Sequence, residues 1–136
     1  MAHTTNYTST FIEVSEDCRA EHGEEPPIAE NVSIAALHYR LISEHPYELT
    51  SDDVLFRTHA LRKGIDPDDA AARAEFFSKG QACLRSSPLG KRYGWGTHHD
   101  AKGRVALVSR DSEEYAALAA DPALAHTRAM RSSRAV

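Results

Sequence analysis

Residues 8–14, Thr-Ser-Thr-Phe-Ile-Glu-Val, combine β-branched and aromatic side chains and predict a strand. Acids, Gly23 and the pair Pro26-Pro27 then fill residues 16–30, the composition of an exposed loop and the natural place for an insertion or mobility. From 30 to 45 apolar positions recur at helical spacing. Val32, Ala35, Ala36, Tyr39 and Ile42 make one stripe; Ile34, Leu37 and Leu41 make a second. A helix apolar on two faces is expected to be well buried. His45-Pro46 ends it, because the residue before a proline avoids the α region.

Thr50 or Ser51 caps the next predicted helix, with Asp52 and Asp53 in its first turn, where the helix dipole favours acids. Val54, Leu55, Thr58, Leu61 and Ile65 keep its period and Gly64 can stop it. Asp66-Pro67 predicts a third helix in cap-then-proline order, with a stripe of Ala70, Ala74 and Phe77 and a stop at Gly80. The pattern then changes. Gln81–Ser86 reads as extended, Ser87-Pro88-Leu89-Gly90 as a turn, and Tyr93–His99 and Arg104–Ser109 as strands of a hairpin closed by Asp100–Gly103. Asp111-x-x-Glu114 resembles a capping box opening a last helix to about Ala120, and Asp121-Pro122 ends it. The tail at 126–136 is basic and small, and either moves or lies across the sheet.

The expected fold class is α+β: a small antiparallel sheet packed against three to four helices in one domain over 1–136. A chain of 136 residues buries roughly two-thirds of its unfolded surface, enough for a core without disulfides or metal. No apolar run reaches the length of a membrane span, and Met1–Thr10 lacks a signal-peptide layout. A cytoplasmic protein without membrane association is expected. Cys18 and Cys83, 65 positions apart, form no C-x-x-C motif and are expected to be reduced thiols.

The net charge of −4 hides a polarity. Residues 1–53 hold eleven acids against Arg19 and Arg40, whereas 79–110 hold seven bases against Asp100 alone. Such a basic stretch suits an anion or polyanion, although the two halves could simply neutralise each other in the fold.

The chemistry-bearing residues concentrate between Phe76 and His99. Ser86, Ser87, Gly90, Lys91 and Arg92 on a Gly- and Ser-containing turn can present N–H groups and charge to an anion. This is no P-loop, because Gly90-Lys91 is followed by Arg92. Alternation along a strand places Tyr93, Trp95, Thr97 and His99 on one face and Gly94, Gly96 and His98 on the other. Tyr93 and Trp95 could stack on a flat ligand or serve as core aromatics, with the glycines admitting a close neighbour. Cys83 is the thiol nearest to bases and histidines, with Arg85 on its face if the segment is extended; a small buried side chain is the commoner role. His98-His99-Asp100 does not make a metal site, since adjacent strand residues point to opposite faces. His38 and Arg40 on one helix and His59 and Arg62 on the next could line a groove or be boundary residues. Asp52 and Asp53 read as helix-start charges rather than a catalytic pair.

His3-Thr4-Thr5-Asn6-Tyr7, then Thr10-Phe11-Ile12-Glu13-Val14 with Glu16-Asp17-Cys18, resemble the opening of a family of small bacterial proteins catalogued only as a domain of unknown function. Thr50–Phe56, the run from Phe76 to Gly96, and Ala129-Met130-Arg131-Ser132 are similar to it as well. The resemblance spans nearly the whole chain and implies a single-domain cytosolic bacterial protein. It carries no activity, cofactor or functional residue.

The residues therefore favour a domain that binds a small molecule or anion. Arg85, Ser86, Ser87, Lys91 and Arg92 would hold the anionic group, Tyr93 or Trp95 would stack on it, and Cys83, His98 and His99 are the candidates for catalysis. The alternative is a nucleic-acid or protein interaction module using the same basic surface and the tail bases Arg128, Arg131 and Arg134. An acidic balance, with pI near 6.0, weighs against nucleic acid. A third reading is thiol chemistry at Cys83. The reaction, any cofactor and the state of self-association are not legible.

Overall fold

The structure, a computed structural model, describes residues 3–27 and 33–131. Strand β1 is Thr10–Glu13. Helix α1, Ile34–Glu44, opens on Ser33, whose hydroxyl accepts from the Ala36 N–H, and ends at His45 before Pro46. It buries Ala35, Ala36, Leu37, His38 and Ile42, so a histidine shares the core stripe. Helix α2, Ser51–Lys63, carries a full capping box. The Thr50 hydroxyl accepts from Asp53 N–H, the Asp53 side chain accepts from Thr50 N–H, and Gly64 closes the helix in the left-handed region. Its buried face differs from the expected stripe: Phe56 and Ala60 are fully enclosed, whereas Leu61 is 54% exposed.

Helix α3 is Ala70–Phe76, shorter at both ends than Asp66-Pro67 and Gly80 predict. Asp66 instead folds a local turn, accepting from Asp68 N–H at its side chain and from Asp69 N–H at its carbonyl. Asp69 then takes the cap by accepting from Ala72 N–H. The Gln81 amide donates to the Phe76 carbonyl. The largest departure follows. Leu84–Ser86, predicted as extended, is a 3-10 turn, and the predicted turn at Ser87–Gly90 opens helix α4, Pro88–Arg92. Ser87 caps it and Pro88 holds its first position, where a missing N–H costs nothing. Tyr93 consequently ends a helix instead of starting a strand.

Strands β2, Trp95–His99, and β3, Val105–Ser109, form the hairpin read from the pattern. Helix α5, Glu113–Ala119, is capped by Ser112, one residue after Asp111, which accepts from the Ser109 hydroxyl instead. Strand β4, Ala125–Arg128, lies in the region read as a tail. It runs parallel to β1, so the sheet is mixed rather than wholly antiparallel, in the order β3-β2-β1-β4. The α+β class holds. The expectations placed on residues 28–32 and 132–136, including Val32 and Arg134, lie outside the described residues.

Register sorts the side chains. Thr10 pairs with His99 and Ile12 with Thr97, while Phe11 pairs with His98. One face thus carries Trp95, Thr97, His99, Val105 and Leu107; helices α1 and α4 cover it. Ile42, Leu49, Val54, Leu84, Leu89 and Val105 form its core. The opposite face carries Phe11, Gly96, Ala106 and Val108, with α5 against β1 and β3. There the Phe11 and Tyr115 rings meet edge-on at 4.9 Å. A Cβ on Gly96 would stand 2.8 Å from Tyr115 and 2.9 Å from Phe11, so the missing side chain is what admits α5.

Residues 16–27 form no helix or strand, yet they are tied down. The Arg110 guanidinium donates to the Cys18 and Ala20 carbonyls, and Glu24 N–H donates to the Tyr93 carbonyl. Gly94, at φ 77°, turns its bare α-carbon towards the His22 carbonyl. No helix among the described residues is long and apolar enough to cross a membrane.

Candidate functional site

A cleft of about 340 Å³ opens where α1, α2 and the segment 81–88 meet. Ile34, Leu55 and Phe76 give it apolar lining. His38, Thr58, His59, Arg62, Gln81, Cys83, Ser86 and Ser87 bring polar groups to its walls. The volume is that of a small-molecule site. Each side chain arrives for a local reason. His38 sits one turn below Ile42 on the buried stripe of α1. His59 and Arg62 are neighbours on α2, and the His59 ring lies 4.6 Å from that of Phe76. The 3-10 turn folds Cys83, Ser86 and Ser87 onto one wall, which an extended segment would have split between two faces.

His38 is 4% exposed, and its Nδ1 lies 2.9 Å from the Ser87 hydroxyl. Burial pushes its pKa down to about 4, so the ring is neutral at neutral pH. Ser87 serves two partners, since its oxygen also accepts from Leu89 N–H as the cap of α4.

Behind the cleft wall lies a second polar layer, built by the N-terminal arm. The Asp52 side chain accepts from the Thr4 hydroxyl, the Thr5 hydroxyl and the Thr5 N–H, each at 2.7 Å. Asp52 N–H in turn donates to the Asn6 side chain. His3 N–H donates to the Phe77 carbonyl. These bonds lay Tyr7 across the sheet. Its hydroxyl stands 3.2 Å from the Cys83 sulfur and its ring 5.5 Å from the His99 ring. Burial, with the hydrogen bond and charge of Cys83 adding to it, pushes the Tyr7 phenol up to about 12. His99 is fully enclosed. Its Nε2 lies 3.2 Å from the Thr97 hydroxyl, and its Nδ1 has no partner among the described residues. Burial, helped by neighbouring His98, lowers its pKa to about 4.

The sequence-derived candidates therefore separate. Cys83, Ser86 and Ser87 meet on the cleft, while His99 lies in the layer behind Tyr7. His98 points to the other face, its Nδ1 2.7 Å from the Tyr47 hydroxyl. Arg85 turns to the sheet edge, where Nε donates to the Arg128 carbonyl. Lys91 and Arg92 occupy the last turn of α4 and do not line the cleft. Tyr93 packs partly buried against the main core. Trp95 lies 5.7 Å from the Tyr39 ring, has Gly23 against its indole, and donates from Nε1 to the Glu24 carbonyl. The basic stretch does not converge on one surface patch: Arg104 pairs with Asp100, and Arg110 is spent on backbone carbonyls. Arg131, beyond it, pairs with Glu16. Arg40 is absent from the cleft wall that takes His38, His59 and Arg62.

Tyr7 carries no local sign of its role. Its partners Cys83 and His99 are 76 and 92 positions away, and the arm's bonds to Asp52 and the pairing of β1 with β2 bring them near. His38 did have a signal: it interrupts an apolar stripe at a buried turn. Among the described residues, no cluster of three or more His, Cys, Asp or Glu side chains could hold a metal ion.

The arm and the start of α2 explain two of the motifs noted in the sequence, since His3–Tyr7 and Thr50–Asp53 bind each other. No curated protein and no solved structure matches the chain. A family model does, over residues 2–135, and the chain belongs to that family of unknown function (DUF6157).

Proposed function

We propose that the protein binds a small anionic molecule in the cleft between α1, α2 and residues 81–88. The observation that carries this reading is the charge of the wall. Among the described residues lining it there is no acid, and Arg62 is the only permanently charged side chain. Arg62 has no ion pair or hydrogen bond to another described residue. A guanidinium at the mouth of an apolar cleft suits a carboxylate or phosphate on a small body. Ser86, Ser87 and Thr58 line it with hydroxyls, and neutral His38 and the His59 ring add nitrogens. In the cytoplasmic setting the sequence implies, both free cysteines stay reduced.

Of the anion-binding residues read from the sequence the proposed site keeps Ser86 and Ser87 and gains Arg62, with the catalytic candidate Cys83 on its wall. Calorimetric titration with a panel of small carboxylates and phosphate esters tests it. Arg62→Ala is expected to weaken binding by about tenfold or more, the worth of one charge-assisted hydrogen bond. Lys91→Ala with Arg92→Ala is expected to leave it unchanged. The reverse result would return the site to the basic turn. Oligonucleotide binding that the double variant abolishes, with a steep salt dependence, would instead favour an interaction module.

A further inference from the structure

We propose that the ligand of the cleft is a phosphate monoester, held as a dianion between His59 and Arg62, and that a proton passes onto His59 as it binds. The inference rests on the cleft reading above and adds the charge and chemical class of the ligand.

His59 and Arg62 stand three positions apart on α2, and both line the cleft. Side chains at that spacing are neighbours on one helix face, so an imidazole and a guanidinium approach the same space from one wall. Neither has a hydrogen bond or ion pair to another described residue. Other guanidiniums are spent within the fold: Arg73 on Asp53, Arg104 on Asp100, and Arg110 on backbone carbonyls. The His59 ring lies 4.6 Å from that of Phe76 and 6.3 Å from that of Phe56. Packing thus places the ring without using its nitrogens.

The two histidines of the wall have different duties. His38 is 4% exposed and bonded to Ser87, and burial holds it neutral. His59 is half-buried and shares its helix face with a cation. Imidazole exchanges its proton near neutral pH, and an adjacent anion favours the charged form. The other titratable groups on the wall are Arg62 from the same helix, His38 from α1 and Cys83 from segment 81–88, while α3 contributes the Phe76 ring. No carboxylate lines the cleft, so none on the wall competes with the ligand for the pair.

Two cations one turn apart repel each other, and a single negative charge balances only one of them. A dianion balances both. A phosphate monoester carries about two negative charges at neutral pH and has three acceptor oxygens, enough for a guanidinium fork and an imidazolium N–H together. Ile34, Leu55 and Phe76 receive the apolar body of the ester. No covalent bond of the ester breaks on binding. One proton moves from solvent to the His59 ring, and the complex gains one positive charge.

Phenyl phosphate and phenyl sulfate are the probes, because they share shape and apolar body but differ by one charge at neutral pH. Calorimetric titration of the intact chain in two buffers of different ionisation enthalpy reads affinity and proton exchange together. Phenyl phosphate is expected to bind about tenfold or more tightly than phenyl sulfate, with net proton uptake. His59→Gln is expected to abolish the uptake and to bring phenyl phosphate down to the affinity of phenyl sulfate, which should itself be unchanged. Arg62→Ala is expected to weaken both. Thermal unfolding confirms that each variant is folded, and NMR of the wild-type His59 imidazole should show it becoming protonated as phenyl phosphate is added. Equal affinity for the two esters without proton uptake overturns the dianion and leaves the cleft reading standing. Uptake that survives in His59→Gln, or an imidazole signal that stays in place, removes His59 as the proton acceptor. Absence of binding by either ester, or affinities untouched by Arg62→Ala, overturns the cleft reading as well.

Discussion

The two faces of the sheet are built on different principles. The α5 face is a packing surface: Phe11 and Tyr115 meet edge-on over Gly96, with Ala106 and Val108 beside them on the sheet. The face beneath α1 and α4 buries a similar apolar core but adds His99, Thr97, Thr10 and Thr5, while His38 and Ser87 are buried at the cleft. Buried polar groups cost stability unless they are bonded, and His99 Nδ1 and Ser51 Oγ lack partners among the described residues. Adjacent His98 and His99 make the contrast local. One bonds a tyrosine on the packing face, while the other sits enclosed and neutral behind the cleft. Fully buried polar side chains thus concentrate on the face beneath α1 and α4, the face on which the proposed site lies.

Acid should separate the faces most strongly. His38 and His99 have folded pKa values near 4, below the ordinary 6.5, so the folded chain binds fewer protons than the unfolded one between these values. The stabilisation is fully present above pH 6.5 and is lost as pH falls towards 4. Each histidine is expected to cost about 3 kcal/mol across that window. Urea denaturation at pH 7 and pH 5 measures it. His99→Gln should flatten the slope, and an unflattened slope would mean that His99 is solvated.

Removing Asp52 is the next largest. Asp52→Ala leaves the Thr4 and Thr5 donors without their acceptor and frees the arm. A loss of about 2–4 kcal/mol is expected. Amide exchange should rise at Thr5 and Tyr7 while α5 stays protected. Equal loosening of α5 would show that the two faces are not independent.

Gly96→Ala strikes the opposite face. Its new methyl meets two aromatic rings at under 3 Å, and overpacking of that kind is expected to cost about 1–3 kcal/mol. Small-anion affinity at the cleft should be unchanged when titrated well below the melting temperature. A weakened affinity would mean that strain crosses the sheet.

What could be read from the sequence follows from how local each signal is. The capping box at Thr50, the stop at Gly64 and the hairpin over Asp100–Gly103 are legible because their chemistry lies within a few residues. The 3-10 turn at Leu84–Ser86 was hidden because Gln81–Ser86 has neither alternation nor helical period to decide it. Strand β4 was hidden because Ala-His-Thr-Arg offers no apolar face; its pairing with β1 is made by backbone bonds, and three of its four residues are exposed. The candidate site was half legible. Cys83, Ser86 and Ser87 are legible by type, and of the groove candidates His38, Arg40, His59 and Arg62 on neighbouring helices all but Arg40 line the cleft. The arm that brings Tyr7 to Cys83 depends on contacts spanning 46 to 76 positions, and no local pattern encodes these.

The sheet order also sets a timetable for synthesis. Strand β1 leaves the ribosome early, yet it lies between β2, which begins at Trp95, and β4, which ends at Arg128. At roughly 5–20 residues per second, Phe11 and Ile12 wait several seconds for their first strand neighbour and longer for their second. Helices α1 and α2 emerge in that interval with their caps complete, so local helical contacts can form before any ladder does.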